Sequence, residues 1–370
     1  MDLLYKPDWE NTKKNYLAWW EHEYFGRCAI AVTAPAKNAA NNIPPPLPEK
    51  TEDRWLDFGY LAALNEYKLK STYYGGEAFP DWNPGFPGCD GHVTYLGANV
   101  TLKEDTGWTD PLIAGGALTD HDYKSLKINK EKNKWWKFGR EVRRLAARES
   151  EGKCIPSNMA FGACGDTLAA IRGTEQLLYD MTECPGYVHE FDRYLMRQWI
   201  DIYEDSYSIT KDGAQGSTCW FNLWSPGKFY AAQNDFAYMI SPEMFNEVFL
   251  PSIEMQAKYL DHTVYHVDGI GNFRHLDALL GVDCLQAIQI LPGAGQPSPL
   301  YFMDILKKVQ AAKRNLHITI PPNEVKDALD NLSARGLFIQ TWCNTEDDAR
   351  ELLKYAEKRS VDRGSRPMSV

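Results

Sequence analysis

The sequence predicts an α/β protein, specifically a (β/α)8 TIM-type barrel with an N-terminal extension that covers one end. Strand-like and helix-like segments alternate over the last two-thirds of the 370 residues, which is typical of a parallel sheet covered by helices. With the N-terminal region included there are eight strand candidates, the number at which such a sheet closes on itself. No Gly-x-Gly-x-x-Gly follows a strand, so an open dinucleotide-binding sheet is not favoured.

Short apolar runs rich in β-branched residues mark the predicted strands in chain order. They are Ala29–Thr33, one strand within the poorly patterned Tyr74–Val100 region, Ile155–Ala160, Ser217–Asn222, Thr263–Val267, Cys284–Ile290, Leu316–Ile320 and Leu337–Thr341. The amphipathic stretches between them are predicted helices: Thr174–Asp212, Pro242–Leu260, Phe273–Leu280, Pro299–Lys313, Pro322–Arg335 and Thr345–Lys358. Helix-start signals agree, because Ser241 is an N-cap residue before Pro242, and acidic residues follow Thr345.

We interpret the chain as a single domain spanning 1–370, with the N-terminal extension and first barrel units in 1–110 and the remaining barrel in 111–370. The formal net charge of -10 offers no basic surface for nucleic acid. No apolar run has the length of a signal peptide or a membrane span, so we expect a cytoplasmic protein without a membrane partner. The eight cysteines form no CxxC pair, which argues against a zinc ribbon or a disulfide scaffold.

The segment His-Val-Asp-Gly at 266–269 ends a predicted strand and is the most informative motif of the chain. Residues two apart on a strand point to the same face, so His266 and Asp268 should project side by side. Such a pair binds a metal or acts as a base with its orienting carboxylate; the alternative is that it only satisfies a turn. The histidines His262, His275 and His317 are interpreted as structural.

Barrel enzymes carry their chemistry at the carboxyl ends of the strands, and further candidate residues lie near those predicted ends. They are Asn158, Arg172, Trp220, Asn222, Trp224, Asp235, Gln289, Glu324 and Cys343. Cys343 follows the last strand and is predicted to meet His266 and Asp268 at one cation across the barrel mouth. Zinc accepts nitrogen, thiolate and carboxylate ligands, and three protein ligands leave a position open for substrate. Copper and iron use similar donors.

Two carboxylates and two indoles in this set have specific predicted roles. Asp235 and Glu324 are candidates for a general acid if burial raises the pKa of the carboxyl; the alternative for each is to cap a helix or a turn. Trp220 and Trp224 are candidates for an aromatic wall around a flat or cationic methyl donor. Their alternative role is to plug the barrel.

The remaining candidates are polar residues assigned to substrate binding. Asn158, Asn222 and Gln289 are predicted to form hydrogen bonds with the substrate. Arg172 either binds substrate or pairs with a neighbouring carboxylate such as Asp166. An acidic, multi-armed substrate would require several such cations, and the sequence offers one near the strand ends.

Several stretches give the chain a resemblance to a known family. They are Tyr16–Arg27 with Ala29–Pro35, Glu104–Trp108, Ile171–Glu175, Asp235–Phe245, His266–Gly269 and Gly336–Cys343. The chain resembles the uroporphyrinogen decarboxylase superfamily, in particular its corrinoid-dependent methyltransferases. In the zinc methyltransferases of that superfamily the fifth strand ends in His-x-Cys-Gly, and another cysteine follows the last strand. His266 and Cys343 match this pattern, whereas Asp268 stands where those relatives carry cysteine.

The resemblance implies transfer of a methyl group from a small O- or N-methylated donor to the cobalt of a corrinoid held by a separate protein. It implies zinc held by His266, Asp268 and Cys343. The alternatives are a metal-independent decarboxylase or lyase of the uroporphyrinogen decarboxylase type, and a tetrapyrrole-binding protein. The decarboxylases carry Arg-Gln-Ala-Gly-Arg after the first strand, where this chain has no arginine in Thr33–Lys37. The sequence leaves the donor and the oligomeric state open, a homodimer being one alternative.

Overall fold

The computed structural model describes residues 3–85 and 91–364. Its strands are β1 (Ala29–Pro35), β2 (Thr72–Gly76), β3 (Asp81–Trp82), β4 (Val100–Leu102), β5 (Gly107–Thr109), β6 (Ile155–Pro156), β7 (Ser217–Thr218), β8 (Trp224–Ser225), β9 (Phe229–Gln233), β10 (His262–Asp268), β11 (Ala287–Leu291), β12 (Asn315–Thr319) and β13 (Leu337–Trp342). Its α-helices are α1 (Trp9–Trp20), α2 (Asp53–Leu56), α3 (Phe58–Ser71), α4 (Gly91–Leu96), α5 (Lys134–Ser150), α6 (Cys164–Arg172), α7 (Thr174–Glu183), α8 (Pro185–Ala214), α9 (Pro242–Met244), α10 (Leu250–Tyr259), α11 (Leu276–Leu280), α12 (Met303–Ala311), α13 (Val325–Asn331) and α14 (Glu346–Arg359).

A seven-stranded sheet in the order β2-β1-β13-β12-β11-β10-β9 forms the centre of the molecule. All neighbouring strands in it are parallel except β2, which pairs antiparallel with β1 at the edge. The predicted α/β class is therefore confirmed. β3 and β6 form a separate parallel pair, and within the described ranges no strand ladder joins this pair to the seven-stranded sheet.

The strands from β9 to β13 are buried on both faces. Nearly all consecutive side chains in these strands are buried, as in the AIQIL sequence of β11. This pattern is typical of parallel strands that are covered on both faces. Buried polar residues interrupt these runs, and among them are His266 on β10, Gln289 on β11 and His317 on β12. Buried polar groups require partners, and these three side chains become part of the candidate site.

The predicted strand Ser217–Asn222 is wrong. Only Ser217–Thr218 is extended, and it pairs antiparallel with Trp224–Ser225 in a short hairpin. Asn222 lies in the turn between them and has a left-handed backbone with φ of 50°, which asparagine tolerates better than most residues. The strand beside β10 is β9, whose central alanines have weak strand propensity and gave no clear sequence signal.

The N-terminal helix α1 lies against the amino ends of the sheet strands. The Trp19 indole donates a hydrogen bond to the carbonyl of Gly336, just before β13, over 3.0 Å. His22 contacts the Asn315 side chain at the first residue of β12, over 2.6 Å. This placement leaves the carboxyl ends of the strands on the opposite side. None of the helices within the described ranges combines the length and apolar character that crossing a bilayer requires.

A buried carboxyl group lies between α8 and α10. Asp192 of α8 is almost fully buried near Ser252 of α10, and desolvation raises the pKa of its carboxyl to about 7. In the unfolded chain an aspartate has a pKa of about 3.9. The unfolded state therefore loses this proton at lower pH than the folded state does, and the folded state becomes relatively less stable as pH rises between these values.

We expect Asp192→Asn to increase the free energy of unfolding at pH 8 while changing it little near pH 4. The difference in free energy of unfolding between the variant and the wild type should grow from pH 4 to pH 7. It should level off at roughly 4 kcal/mol, since each pKa unit corresponds to about 1.4 kcal/mol. Urea unfolding at a series of pH values measures it. Asp201→Asn, at an exposed position of the same helix, reports the effect of removing a negative charge from α8. A destabilised Asp192→Asn protein at pH 8 would contradict the expectation.

Candidate active site

The candidate site lies at the carboxyl ends of the neighbouring strands β9, β10 and β11. His266 is paired in register with Gln233 of β9 and with Gln289 of β11. Asp268 is the last residue of β10, and Asp235 begins a short 3₁₀ turn just after β9. Because the strands are parallel, these polar side chains meet at one edge of the sheet.

Asp235, His266 and Asp268 form a compact trio. Each offers one donor atom, and these atoms lie within 4.8 Å of one another. The His266 Nε2 atom is 3.7 Å from the nearer oxygen of Asp268, so the His-x-Asp pair does lie side by side. Asp235, expected from sequence to act as an acid, is the third member.

A hydrogen-bond relay fixes the orientation of His266. Its Nδ1 atom is hydrogen bonded to the Oε1 atom of Gln289, and the Gln289 amide nitrogen is 3.2 Å from Nδ1 of His317. Burial, together with the nearby His266, lowers the pKa of His317 to about 3. His317 is therefore neutral and accepts through Nδ1, so Gln289 donates to it and accepts from His266. This arrangement directs the Nε2 atom of His266 towards the two carboxylates.

The carboxylates of the site influence one another. Burial raises the pKa of Asp235 to about 7, helped by the negative charges of Asp166 and Asp268 and opposed by His266. Burial also raises the pKa of Asp166, although this carboxylate accepts hydrogen bonds from the Phe236 amide over 2.9 Å and from the Gln233 side chain over 3.1 Å.

His266 experiences opposing effects. Burial alone would lower the pKa of His266, but hydrogen bonds with Asp268 and Gln289 and the charge of Asp235 outweigh it, so the pKa is raised. The imidazole therefore holds its proton more tightly than an isolated histidine does. When protonated, it places a positive charge beside the carboxyl groups of Asp235 and Asp268.

A cavity of about 700 Å³ adjoins the trio and contains the Asp235 side chain. Its aromatic walls include Trp108, Trp220, Tyr230 and Phe236. Trp220 connects the cavity with the trio, since its ring lies edge-to-face with that of His266 at a centroid distance of 5.3 Å. Among the residues that the structure describes, no lysine or arginine lines the cavity.

Cys343 does not join the trio, so the predicted zinc ligand set His266, Asp268 and Cys343 is not formed. Its backbone N–H donates to Thr33 of β1 over 2.8 Å, and its side chain lines a separate pocket against α14 with Asp348 and Leu352. β13 is separated from β10 by two strands of the sheet, and the chain direction after β13 carries the thiol towards its own helix.

Two of the residues assigned to substrate binding are structural. Trp224 is 2% exposed and packs against Trp9 of α1 rather than at the carboxyl ends of the strands. The Asn158 side chain is buried and accepts hydrogen bonds from Ser206 and Thr210 of α8 over 2.6 and 3.1 Å. Both assignments failed because the sequence does not tell a buried side chain from an exposed one near the end of a strand.

Three more candidates lie outside the trio and the lining of this cavity. Asn222 occupies the exposed hairpin turn, and Glu324 accepts a hydrogen bond from the Ser298 hydroxyl. Arg172 is buried and donates to Asp180 over 2.6 Å, and not to Asp166 as expected. Its other nitrogens bind the carbonyls of residues 115 and 116, so this arginine fixes a loop and is not free to bind an anion.

Sequence analysis considered Asp166 only as a possible partner of Arg172, and it interpreted His317 as structural. Gly165 accounts for the position of Asp166 beside the cavity. A Cβ atom at residue 165 would lie 2.5 Å from the Asn234 side chain, so only glycine allows the close approach that brings Asp166 to Phe236. The signal for His317 was its position inside an apolar strand, where a polar side chain must find a buried partner.

We expect Gln289→Met to remove the acceptor for the His266 Nδ1–H group. The pKa of His266 should fall, and its neutral ring should populate the tautomer protonated at Nε2, facing Asp268. Nitrogen-15 NMR of the imidazole during a pH titration measures both effects. Gln286→Met is the matched control, because that glutamine bonds to the backbone of Thr263 at the other end of β10. An unchanged tautomer and pKa in Gln289→Met would contradict the relay.

No protein-family model matches the chain, and no curated protein matches it either. Among solved structures, the chain is similar to a methyltransferase from Methanosarcina mazei. The two share 11% sequence identity with a TM-score of 0.62, over 94% of this chain and 98% of that protein. At this identity the likeness establishes a shared fold over nearly the whole of both chains.

Proposed function

We propose that the chain is a methyltransferase, which takes a methyl group from a small O- or N-methylated donor and passes it to the cobalt of a corrinoid on a partner protein. The observation that carries the proposal is the cavity beyond the carboxyl end of β9, which adjoins the trio of Asp235, His266 and Asp268 through the Asp235 side chain in its lining. The fold shared with a methyltransferase supports it, as does the family resemblance of the sequence.

The cavity suits a small donor and a large acceptor. A volume of about 700 Å³ lies within the range of about 300–1,000 Å³ typical of small-molecule sites. Trp108 and Met239 line it and are 48% and 46% exposed. These two residues mark an open side of the cavity, through which a nucleophile on a second protein can reach the methyl carbon of the donor.

Methyl transfer requires that the departing atom be stabilised as the bond to carbon breaks. In a methyl ether or a simple methylamine that atom retains an electron pair, which a nearby acid can protonate. Asp235 has the position and the raised pKa for this role. His266, oriented by Gln289, holds Asp268 beside Asp235 and keeps the three groups together.

The zinc that the resemblance implies does not fit as predicted, because the thiol of Cys343 belongs to another pocket. The remaining donors, two carboxylates and one imidazole, suit several divalent ions and select none of them. Asp235, His266 and Asp268 supply the charge and the proton chemistry of the proposed reaction.

The two alternative functions find less support in the cavity. A multi-carboxylate substrate of the decarboxylase type, or a tetrapyrrole with acidic side chains, requires cationic partners. The described lining has two carboxylates, Asp166 and Asp235, and no basic side chain. Arg172, the cation considered for that role, is occupied by Asp180.

We also propose that the short strands β3 and β6 complete an eight-stranded barrel with the parallel strands of the main sheet. On one side, the amide of Phe161, beyond β6, donates to the Tyr230 hydroxyl of β9 over 2.8 Å. On the other side, the amide of Glu77, between β2 and β3, donates to the Ile30 carbonyl of β1 over 2.9 Å. These two contacts, made by residues that flank the pair, support its proposed place between β1 and β9.

We expect Asp235→Asn and His266→Ala to reduce methyl transfer by about 10²-fold or more, the usual contribution of a positioned acid. Cys343→Ala should retain activity close to that of the wild type. The assay follows formation of methylcobalamin from chemically reduced cobalamin and a panel of O- and N-methylated donors. Thermal unfolding of each variant controls for loss of the fold.

Two results would contradict the proposal. If no methylated donor yields methylcobalamin with the wild-type protein, with either free cobalamin or a corrinoid protein, the proposed activity is wrong. If Cys343→Ala abolishes both transfer and stoichiometric zinc, the thiolate metal site predicted from the sequence is correct, and the assignment to Asp235 is wrong.

A further inference from the structure

The cavity combines two features that favour the same class of ligand. Aromatic rings from Trp220, Tyr230 and Phe236 line it, and the carboxylates of Asp166 and Asp235 lie in the same walls. Aromatic faces attract cations through the quadrupole of the ring. Carboxylates without a basic partner attract them through charge.

We propose that the cavity binds a small organic cation of the quaternary ammonium class, and that this cation is the methyl donor. Its role as donor rests on the proposed methyltransferase function, whereas its binding rests on the cavity alone. A quaternary ammonium group is bulky, apolar on its surface and positively charged at every pH. It therefore benefits from aromatic walls and carboxylates together.

The charges around the cavity support a cationic ligand. Asp166, Asp235 and Asp268 provide three carboxyl groups against the single imidazole of His266. In the described part of the chain the ion pairs of lysine and arginine involve other acids, such as Asp180 with Arg172. A positively charged ligand would supply the counter-charge that no described side chain of the cavity wall provides.

Trp220 is the principal aromatic contact for such a ligand. It is partly exposed and lies between the cavity and His266. Trp108 is a weaker candidate, because the Lys103 ammonium already lies 5.7 Å from its ring centre. Tyr230 is almost fully buried and accepts from the Phe161 amide, so it supports the wall and offers less of its face.

The reaction of such a donor balances without a proton or a Lewis acid. The carbon–nitrogen bond breaks with its electron pair remaining on nitrogen, which leaves as a neutral tertiary amine. The new carbon–cobalt bond takes its electron pair from the cob(I)alamin-type corrinoid, which becomes methyl-cobalt(III). Asp235 then acts as the negative counter-charge of the bound donor, where an ether would require it as an acid.

A quaternary ammonium donor also agrees with the position of Cys343. A neutral leaving amine needs no thiolate-bound zinc to stabilise it, so a cysteine in another pocket is no loss to the reaction. Phosphorylated or carboxylate-rich donors are disfavoured by the two carboxylates in the wall. Neutral ethers fit the aromatic walls but gain nothing from the charge.

Choline and its neutral isostere 3,3-dimethylbutan-1-ol, which has carbon in place of nitrogen, distinguish charge from shape. We expect isothermal titration calorimetry of the wild-type protein to give choline at least about tenfold higher affinity than the isostere. Asp235→Asn and Trp220→Leu should each weaken choline by about tenfold, and Trp220→Phe by less. Asp283→Asn removes a fully exposed carboxylate elsewhere and should leave choline binding unchanged.

Equal affinities for choline and the isostere, or no choline binding, would overturn the inference without any need for variants. Stoichiometric zinc that depends on Asp235 and His266 and competes with choline would also overturn it, because the trio would then be a metal site. Transfer from neutral methyl ethers without choline binding leaves the methyltransferase proposal standing. Choline binding without methyl transfer from any quaternary ammonium compound supports the cationic site and contradicts the role of the cation as methyl donor. The methyltransferase proposal itself fails only when no methylated donor yields methylcobalamin.

Discussion

Three carboxyl groups, Asp166, Asp235 and Asp268, share one end of the sheet with the single imidazole of His266, and no described lysine or arginine lines the adjoining cavity. Like charges held this close in partly buried surroundings retain protons or attract cations. Burial raises the pKa values of Asp235 and Asp166, the neighbouring carboxylates raise that of Asp235 further, and hydrogen bonds with Asp268 and Gln289 together with the charge of Asp235 raise that of His266. A further consequence of these charges is the class of ligand that the cavity can accept.

The rest of the fold maintains this arrangement. Parallel strands buried on both faces place His266, Gln289 and His317 on consecutive strands, where each ring or amide satisfies its neighbour. Gly165 allows Asp166 to reach the backbone beyond β9. Helix α1 lies at the amino ends of the strands, so the carboxyl ends are left for binding. Helix α1 thus packs at the amino ends of the strands, and the carboxyl ends carry the candidate site.

Sequence reasoning located β10, β12 and β13 within one or two residues, because long apolar runs identify buried parallel strands. It also paired His266 with Asp268, since strand periodicity fixes which side chains are neighbours. It failed for β9 because alanines carry little strand signal, and for Trp224 because a buried indole and a cavity indole look alike in sequence. It failed for Cys343 because the direction of a side chain after the last strand depends on packing against α14.

The account depends on unbalanced negative charge at the carboxyl ends of β9 and β10, and proton release on ligand binding tests that charge most directly. Calorimetry of tetramethylammonium binding at pH 7, in buffers with different ionisation enthalpies, counts the protons released. Since the pKa of Asp235 is about 7, a bound cation should expel a substantial fraction of a proton. Binding with no proton release, or no binding at all, would contradict the account.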